Sequence, residues 1–126
     1  MCFAWDATCV DTVAVSYVGH TANTAGWAAD EAEREKVKKY AALHGRFFFN
    51  PVGFETFGSW GVEARNLIAE IATRIRDQTG EVRAEEFLRH RISVEIQRGN
   101  AASVLGTVDK PKICDEVFFL LGISNF

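Results

Sequence analysis

Two places in the chain set ionisable residues on regular elements beside apolar packing. One is Asp6, in the middle of the alternating run Cys2–Val10; the other is the pair Lys36 and Lys39 in a helical run further on. A strand carboxylate beside a helix amine suits metal-assisted phosphodiester cleavage. The carboxylate holds a hard cation such as Mg2+ through oxygen, and a backbone carbonyl nearby, that of Thr8, completes part of the shell. The amine orients water or neutralises the charge that develops on phosphate. Lys36 and Lys39, three residues apart, project about 60° from each other on a helix, so both reach one flank if that helix packs on the strand. Tyr40 lies on the same flank.

The elements that must position these residues are legible from periodicity. Phe3, Trp5, Ala7 and Cys9 fall on one face of the first run, and Ala4, Asp6, Thr8 and Val10 on the other, as in a strand. The stretch 11–26, rich in Thr, Ala, Ser and Gly, reads as mostly loop. From Trp27 to Leu43 there is no Pro or Gly, and Ala29, Ala32, Lys36, Tyr40 and Leu43 recur at helical intervals before Gly45. The other face of that helix carries Asp30, Glu31, Arg34, Glu35 and Lys38, with Asp30–Arg34 and Glu35–Lys39 as i,i+4 pairs, and is expected to be solvated.

Residues 46–57 are aromatic and β-prone, as in a strand buried on both faces, with Pro51 expected to interrupt or bulge its ladder. Ser59 is the expected cap of a helix whose apolar positions Ala64, Leu67, Ile68, Ile71, Ala72 and Ile75 keep the 3.6-residue period to near Gly80. A last helix is expected over 82–105, weakened by Gly99, although Ile92, Val94 and Ile96 also alternate as a strand would. The implied architecture is mixed α/β, a small sheet flanked by helices with a helical C-terminal half. Residues 1–107 form the domain and 108–126 a C-terminal tail, polar through Pro111 and ending in the apolar run Val117–Leu121.

Each sharp reading has a plainer one beside it. A lone strand aspartate is more often an edge or turn residue than a metal ligand, and the EREKVKK run is accounted for as a charged helix face. Glu55 reads as a strand-end or edge carboxylate before it reads as a second acid. His20, His44 and His90 have no ligand spacing, and the odd set Cys2, Cys9 and Cys114 suggests neither a disulfide framework nor a zinc site. No run approaches the roughly 18 apolar residues of a membrane span, and the start has no export signal, so a soluble, intracellular protein is expected. With a net charge of -3, any contact with DNA must be local rather than a bulk electrostatic effect.

The strings AWDATCVDT, AADEAEREKVKKYAAL, FFFNPVGFETFGSWG and ISVEIQRGNAASVLGT together resemble the restriction-endonuclease-like domain of site-specific non-LTR retrotransposons, encoded downstream of their reverse transcriptase. The likeness runs from about residue 3 to 107 and implies a PD-(D/E)XK-type fold. In that family a Pro-Asp ends one strand and a second acid sits on the next, so that the two hold a divalent metal. Asp6 matches the second acid. The family's lysine comes from the following helix in a pattern resembling EKVxKY, which Lys36, Lys39 and Tyr40 match, and Thr8 stands where many related nucleases keep a strand lysine.

No Pro-Asp pair occurs in these residues. The resemblance therefore implies an N-terminally truncated remnant of a Mg2+-dependent DNA-nicking enzyme, inactive alone, nuclear if the retrotransposon role persists. From a different class comes a small α/β protein-interaction or structural domain that buries its Phe-rich surface against a protein partner; an exposed apolar patch favours it.

Overall fold

The computed structural model describes residues 2–43 and 45–106. Strand β1 (Cys2–Val10) is followed by a short helix α1 (Val18–Thr21), helix α2 (Trp27–Lys39), a 3-10 turn at Ala41–Leu43 and strand β2 (Phe47–Glu55). Helices α3 (Val62–Thr79) and α4 (Ala84–Gly106) complete the described chain. The fold is mixed α/β. His44, Cys114, the apolar run Val117–Leu121 and the division at 107 lie outside the described residues or at their limit.

β1 and β2 pair in parallel, Cys2 opposite Phe47 through Val10 opposite Glu55, and α2 forms the crossover between them. Parallel strands need a connection of this kind. α2 packs on the face that carries Ala4, Asp6, Thr8 and Val10. Ala28 and Ala29 are fully buried there, and the helix backbone lies so near β2 that a Cβ on Gly53 would stand 2.6 Å from the Ala29 carbonyl oxygen. The opposite face meets α3 and α4 around a core of Val52, Trp60, Ala64 and Ile68, with Phe54, Leu67, Leu88 and Ile92 packed against it.

Pro51 does not break the ladder; the register runs straight through it, opposite Asp6. The reason is the phase of the strand. Gly53 N–H donates to Glu33 and Glu55 N–H to the Ser59 carbonyl, so these odd positions turn their backbone groups away from β1. Pro51 shares that phase, and its missing N–H removes no bond to β1. The aromatic run is not buried on both faces either. Phe48 is 61% exposed and stacks on Phe3, itself 51% exposed, because α3 and α4 cover only the C-terminal half of β2.

α2 ends at Lys39, with Tyr40 as its C-cap, four residues before the expected end. The 11–26 segment contains the single turn α1 within otherwise irregular chain. α4 runs through Gly99 to Gly106, and Asn100 just beyond that glycine donates its side-chain amide to the Thr56 carbonyl at 2.7 Å. That bond gives a physical role to the Arg98-Gly99-Asn100 segment: it ties the far end of α4 to the turn after β2.

The tight approach of α2 is open to measurement. Gly53→Ala should destabilise the protein by roughly 1–3 kcal/mol, because backbone rather than a movable side chain meets the new methyl. Gly19→Ala, with open space around its Cβ, should be neutral or slightly stabilising. Urea unfolding of both variants tests this, and equal midpoints would contradict the packing.

Candidate functional site

Asp6 and Lys36 meet. Lys36 Nζ donates to Asp6 Oδ2 at 2.5 Å, joining residues 30 apart in sequence, with the lysine and aspartate side chains 24% and 32% exposed. The strand's two-residue period turns Asp6 toward α2, and the helical period turns Lys36 toward β1. Tyr40, at the C-cap of α2, stands near enough for its hydroxyl to favour the ionised carboxyl of Asp6. Its ring is braced by Phe49 with centroids 4.9 Å apart, and Phe49 stands opposite Ala4, the next residue of β1 on Asp6's own face.

The electrostatics follow from these contacts. The Lys36 hydrogen bond, and after it the Tyr40 hydroxyl and the charge of Lys39, hold the Asp6 carboxyl below the ordinary aspartate range against a partial desolvation. The Asp6 hydrogen bond holds the Lys36 ammonium above the ordinary lysine value. Lys39 does not touch Asp6; its Nζ lies 5.3 Å from the centre of the Tyr40 ring and the residue is exposed. Of the two lysines, the fold selects Lys36 for the carboxylate and leaves Lys39 to act at a distance.

Thr8 shares the face of Asp6, but its carbonyl is turned elsewhere. The Val10 carbonyl accepts from Thr56 N–H at 2.9 Å, and alternation along the strand gives Thr8 and Asp6 the same phase, toward β2. The carbonyls directed to the other edge of β1 are those of odd residues such as Trp5 and Ala7. Among the described residues no strand pairs with that edge, and no cluster of three or more His, Cys, Asp or Glu comes together.

Periodicity did not reveal three further acids. Glu33, on α2 one turn before Lys36, is 4% exposed; its Oε1 accepts from Gly53 N–H and Ala64 N–H and its Oε2 from Glu63 N–H, each at 2.9 Å. Asp30 accepts from Val62 N–H at 2.8 Å. Together they cap α3, whose N-cap is Gly61 and not Ser59. Asp30 is thus not spent on Arg34, which pairs with Glu31 at 2.6 Å. Glu55 is the strand-end carboxylate expected, the last residue of β2, but it is only 1% exposed: its Oε1 accepts from Ala28 N–H and Ala29 N–H at the start of α2, while Oε2 is buried without a hydrogen-bond partner among the described residues. The available signal was indirect, since a helix that starts at glycine must find acceptors for its first N–H groups elsewhere.

The remaining candidates stay apart from the site. His20 stacks on Trp27 with centroids 4.1 Å apart, His90 is exposed on α4, and Cys2 and Cys9 are free and exposed.

The ion pair sets a pH dependence whose sign can be worked out. A carboxyl held down in the fold contributes stability above the ordinary aspartate range, and that contribution disappears as pH falls through its folded value, below about 4. The raised Lys36 contributes at every pH below the ordinary lysine value and loses its contribution above about 10. Asp6→Asn should therefore melt below the parent at pH 7, with the gap closing on acidification to about pH 2. A gap that does not change with pH would mean that the ion pair adds nothing.

Comparison of the chain with protein-family models, with curated proteins and with solved structures finds no match, so the geometry of this cluster stands on its own.

Proposed function

We propose that Asp6, Lys36 and Tyr40 form half of the active centre of a magnesium-dependent DNA endonuclease domain, of the kind that nicks target sites for non-LTR retrotransposons. The observation that carries this reading is the contact of Lys36 Nζ with Asp6 Oδ2 at 2.5 Å, made across the β1–α2 crossover with Tyr40 alongside. An acid from the strand and an amine with a phenol from the next helix are the groups the resemblance assigns to the catalytic pattern.

The residues of this chain do not by themselves fit a magnesium ion. Asp6 offers one carboxylate, already engaged by an ammonium, and the Thr8 carbonyl faces β2. Mg2+ prefers near-octahedral oxygen coordination and usually takes more than one carboxylate or a substrate phosphate. A second acid, on this reading, comes from a Pro-Asp strand that adds to the edge of β1 left open among the described residues, and without it the metal site is incomplete and inactive. Its own groups have definite tasks. Lys36 holds Asp6 ionised, and when a phosphate arrives it offers its donors to the phosphoryl oxygens or to the attacking water. Tyr40 and Lys39 help to keep the carboxylate ionised from the rim of the site. With a net charge of -3, grip on the rest of the DNA comes from other regions.

A second reading is favoured by a separate observation. Phe3 and Trp5 are 51% and 63% exposed, and with Ala7, Leu67, Ile71 and Ile92 they line an apolar groove of about 400 Å³ on the face away from α2. Such a surface suits a protein partner, and a domain that retains only that contact needs no catalysis. Among the described residues no helix is long and apolar enough to cross a membrane.

The readings separate experimentally. Calorimetry of the chain as given should show weak or no Mg2+ binding; tight stoichiometric binding would contradict the half-site assignment. Fusing an upstream strand with Pro-Asp should bring metal-dependent nicking of DNA. In that fusion Asp6→Asn should abolish it, Lys36→Ala should lower it by roughly 10²-fold or more, and Lys39→Ala should have the smaller effect. A folded fusion that binds metal and DNA yet nicks no substrate would give way to the interaction-domain reading.

A further inference from the structure

We infer that Glu33 is the positioning residue of this site: by gripping backbone N–H groups of β2 and α3, it sets where α2 stands and so where Lys36 meets Asp6. The inference concerns the Lys36–Asp6 contact of the proposed site and holds whether or not that contact serves a nuclease.

The apolar packing of α2 cannot do this alone. The residues buried beneath the helix are Ala28 and Ala29, whose single methyl groups have no directional preference and interlock weakly with a sheet. Such an interface resists separation more than sliding or rotation. The Lys36–Asp6 bond demands more, because the place and turn of α2 decide whether the lysine stem is aimed at the carboxylate at all.

Glu55 of β2 holds the first turn of α2 through Ala28 N–H and Ala29 N–H, and Glu33 supplies the direction one turn before Lys36. Its carboxylate takes Gly53 N–H on β2 and both Glu63 N–H and Ala64 N–H on α3, so one side chain is held from two elements at once. All three donors are backbone groups that cannot follow a moving helix as a surface lysine could. The first-turn N–H groups of α3 also concentrate the positive end of the helix dipole on the carboxylate. Lys36 follows three residues later, about 4.5 Å along the axis and about 60° around it, so a displacement of Glu33 passes to Lys36 almost undiminished through rigid helix.

The cradle is shaped for this side chain. A Cβ on Gly61 would overlap the Glu33 carboxylate, and one on Gly53 would stand 3.0 Å from its Cγ. Both glycines therefore leave the volume that the glutamate occupies. A purely capping role would not require Gly53, since that donor belongs to β2 and not to the helix being capped. Asp30 also caps α3, through Val62 N–H, so α3 keeps one of its caps when Glu33 is removed.

The test uses the full chain and nuclear magnetic resonance, reading the cross-peak between the Lys36 side-chain methylene next to Nζ and the Asp6 methylene. The parent should show it. Glu33→Ala should lose it while the sheet and helices persist. Glu33→Gln, which keeps an acceptor for Gly53 and Ala64 but not for Glu63, should retain it at reduced intensity. Gly61→Ala, which displaces the carboxylate without removing it, should also weaken it and keeps the question answerable if Glu33→Ala does not fold. Ile68→Ala is the control, since it loosens the core under α3 without touching Glu33 and should leave the cross-peak intact. An undiminished cross-peak in every folded Glu33 and Gly61 variant would overturn the assignment. So would its loss in Ile68→Ala, because general loosening would then account for the effect. Nicking is not read, so failure of the endonuclease reading and failure of this one are told apart.

Discussion

Buried carboxylates at two helix starts hold this fold together. Each α-helix begins with N–H groups that have no partner within the helix, and burying them unpaired costs about 1–3 kcal/mol each. Here α2 begins on Glu55 from β2, and α3 begins on Asp30 and Glu33 from α2. Gly61 N–H then returns to the Gly53 carbonyl at 2.9 Å, which closes the circuit on β2. Neither β2, α2 nor α3 can move relative to the others without breaking a charge-assisted bond. The sheet has two strands among the described residues, and a pair that small is marginal unless something packs on it; the circuit fastens α2 and α3 to it by directed bonds as well as by apolar area.

The candidate site inherits its geometry from this circuit. Asp6 is fixed by the ladder through its pairing with Pro51, and the ladder tolerates a proline there because that backbone position faces outward. Lys36 is fixed by α2, and α2 by Glu55 at its first turn and by its own Asp30 and Glu33, which grip α3 and β2. The two halves reach one another because a parallel pair forces the chain to cross over the sheet between them. This much was legible in the sequence: period two placed Asp6, period 3.6 placed Lys36 and Tyr40, and each pattern is local. The choice between Lys36 and Lys39 was not legible, since two residues about 60° apart on a helix are equivalent until the rotation of the helix is known.

What sequence patterns missed has a common physical cause. Local rules assign a cap to the nearest hydroxyl and a helix acid to the nearest base, so Ser59 and the Asp30–Arg34 pair were natural expectations. The structure satisfies the same N–H groups from 30 or more residues away, a distance at which sequence carries no geometric signal. Glu33 looks like one more charge in a solvated run and is one of the most buried residues of the helix. Phe48 errs the other way: a triple phenylalanine implies burial on both faces, yet burial depends on what covers the strand, and α3 with α4 reach only its far half. α4 continues through Gly99, where the glycine's propensity cost is of the same order as the bond that Asn100 makes to the Thr56 carbonyl.

The two faces of the sheet therefore differ in kind. Toward α2 the contacts are directional, a ladder of carboxylate-to-amide bonds ending in the Asp6–Lys36 pair, and their specificity does not depend on how much apolar area is covered. Away from α2 the contacts among the described residues are apolar and incomplete, with Phe3, Trp5 and Phe48 more than half exposed beside an edge of β1 that no described strand pairs. Parallel strands are ordinarily covered on both faces, and an open strand edge is a template for another strand. Cover added to the apolar face would bury aromatic area without disturbing the directional side, since the ladder holds that side already. The arrangement separates two requirements that most sites share: the groups able to do chemistry are set by hydrogen bonds within the described chain, while the surface that would seat a further strand or a partner is left to apolar attraction.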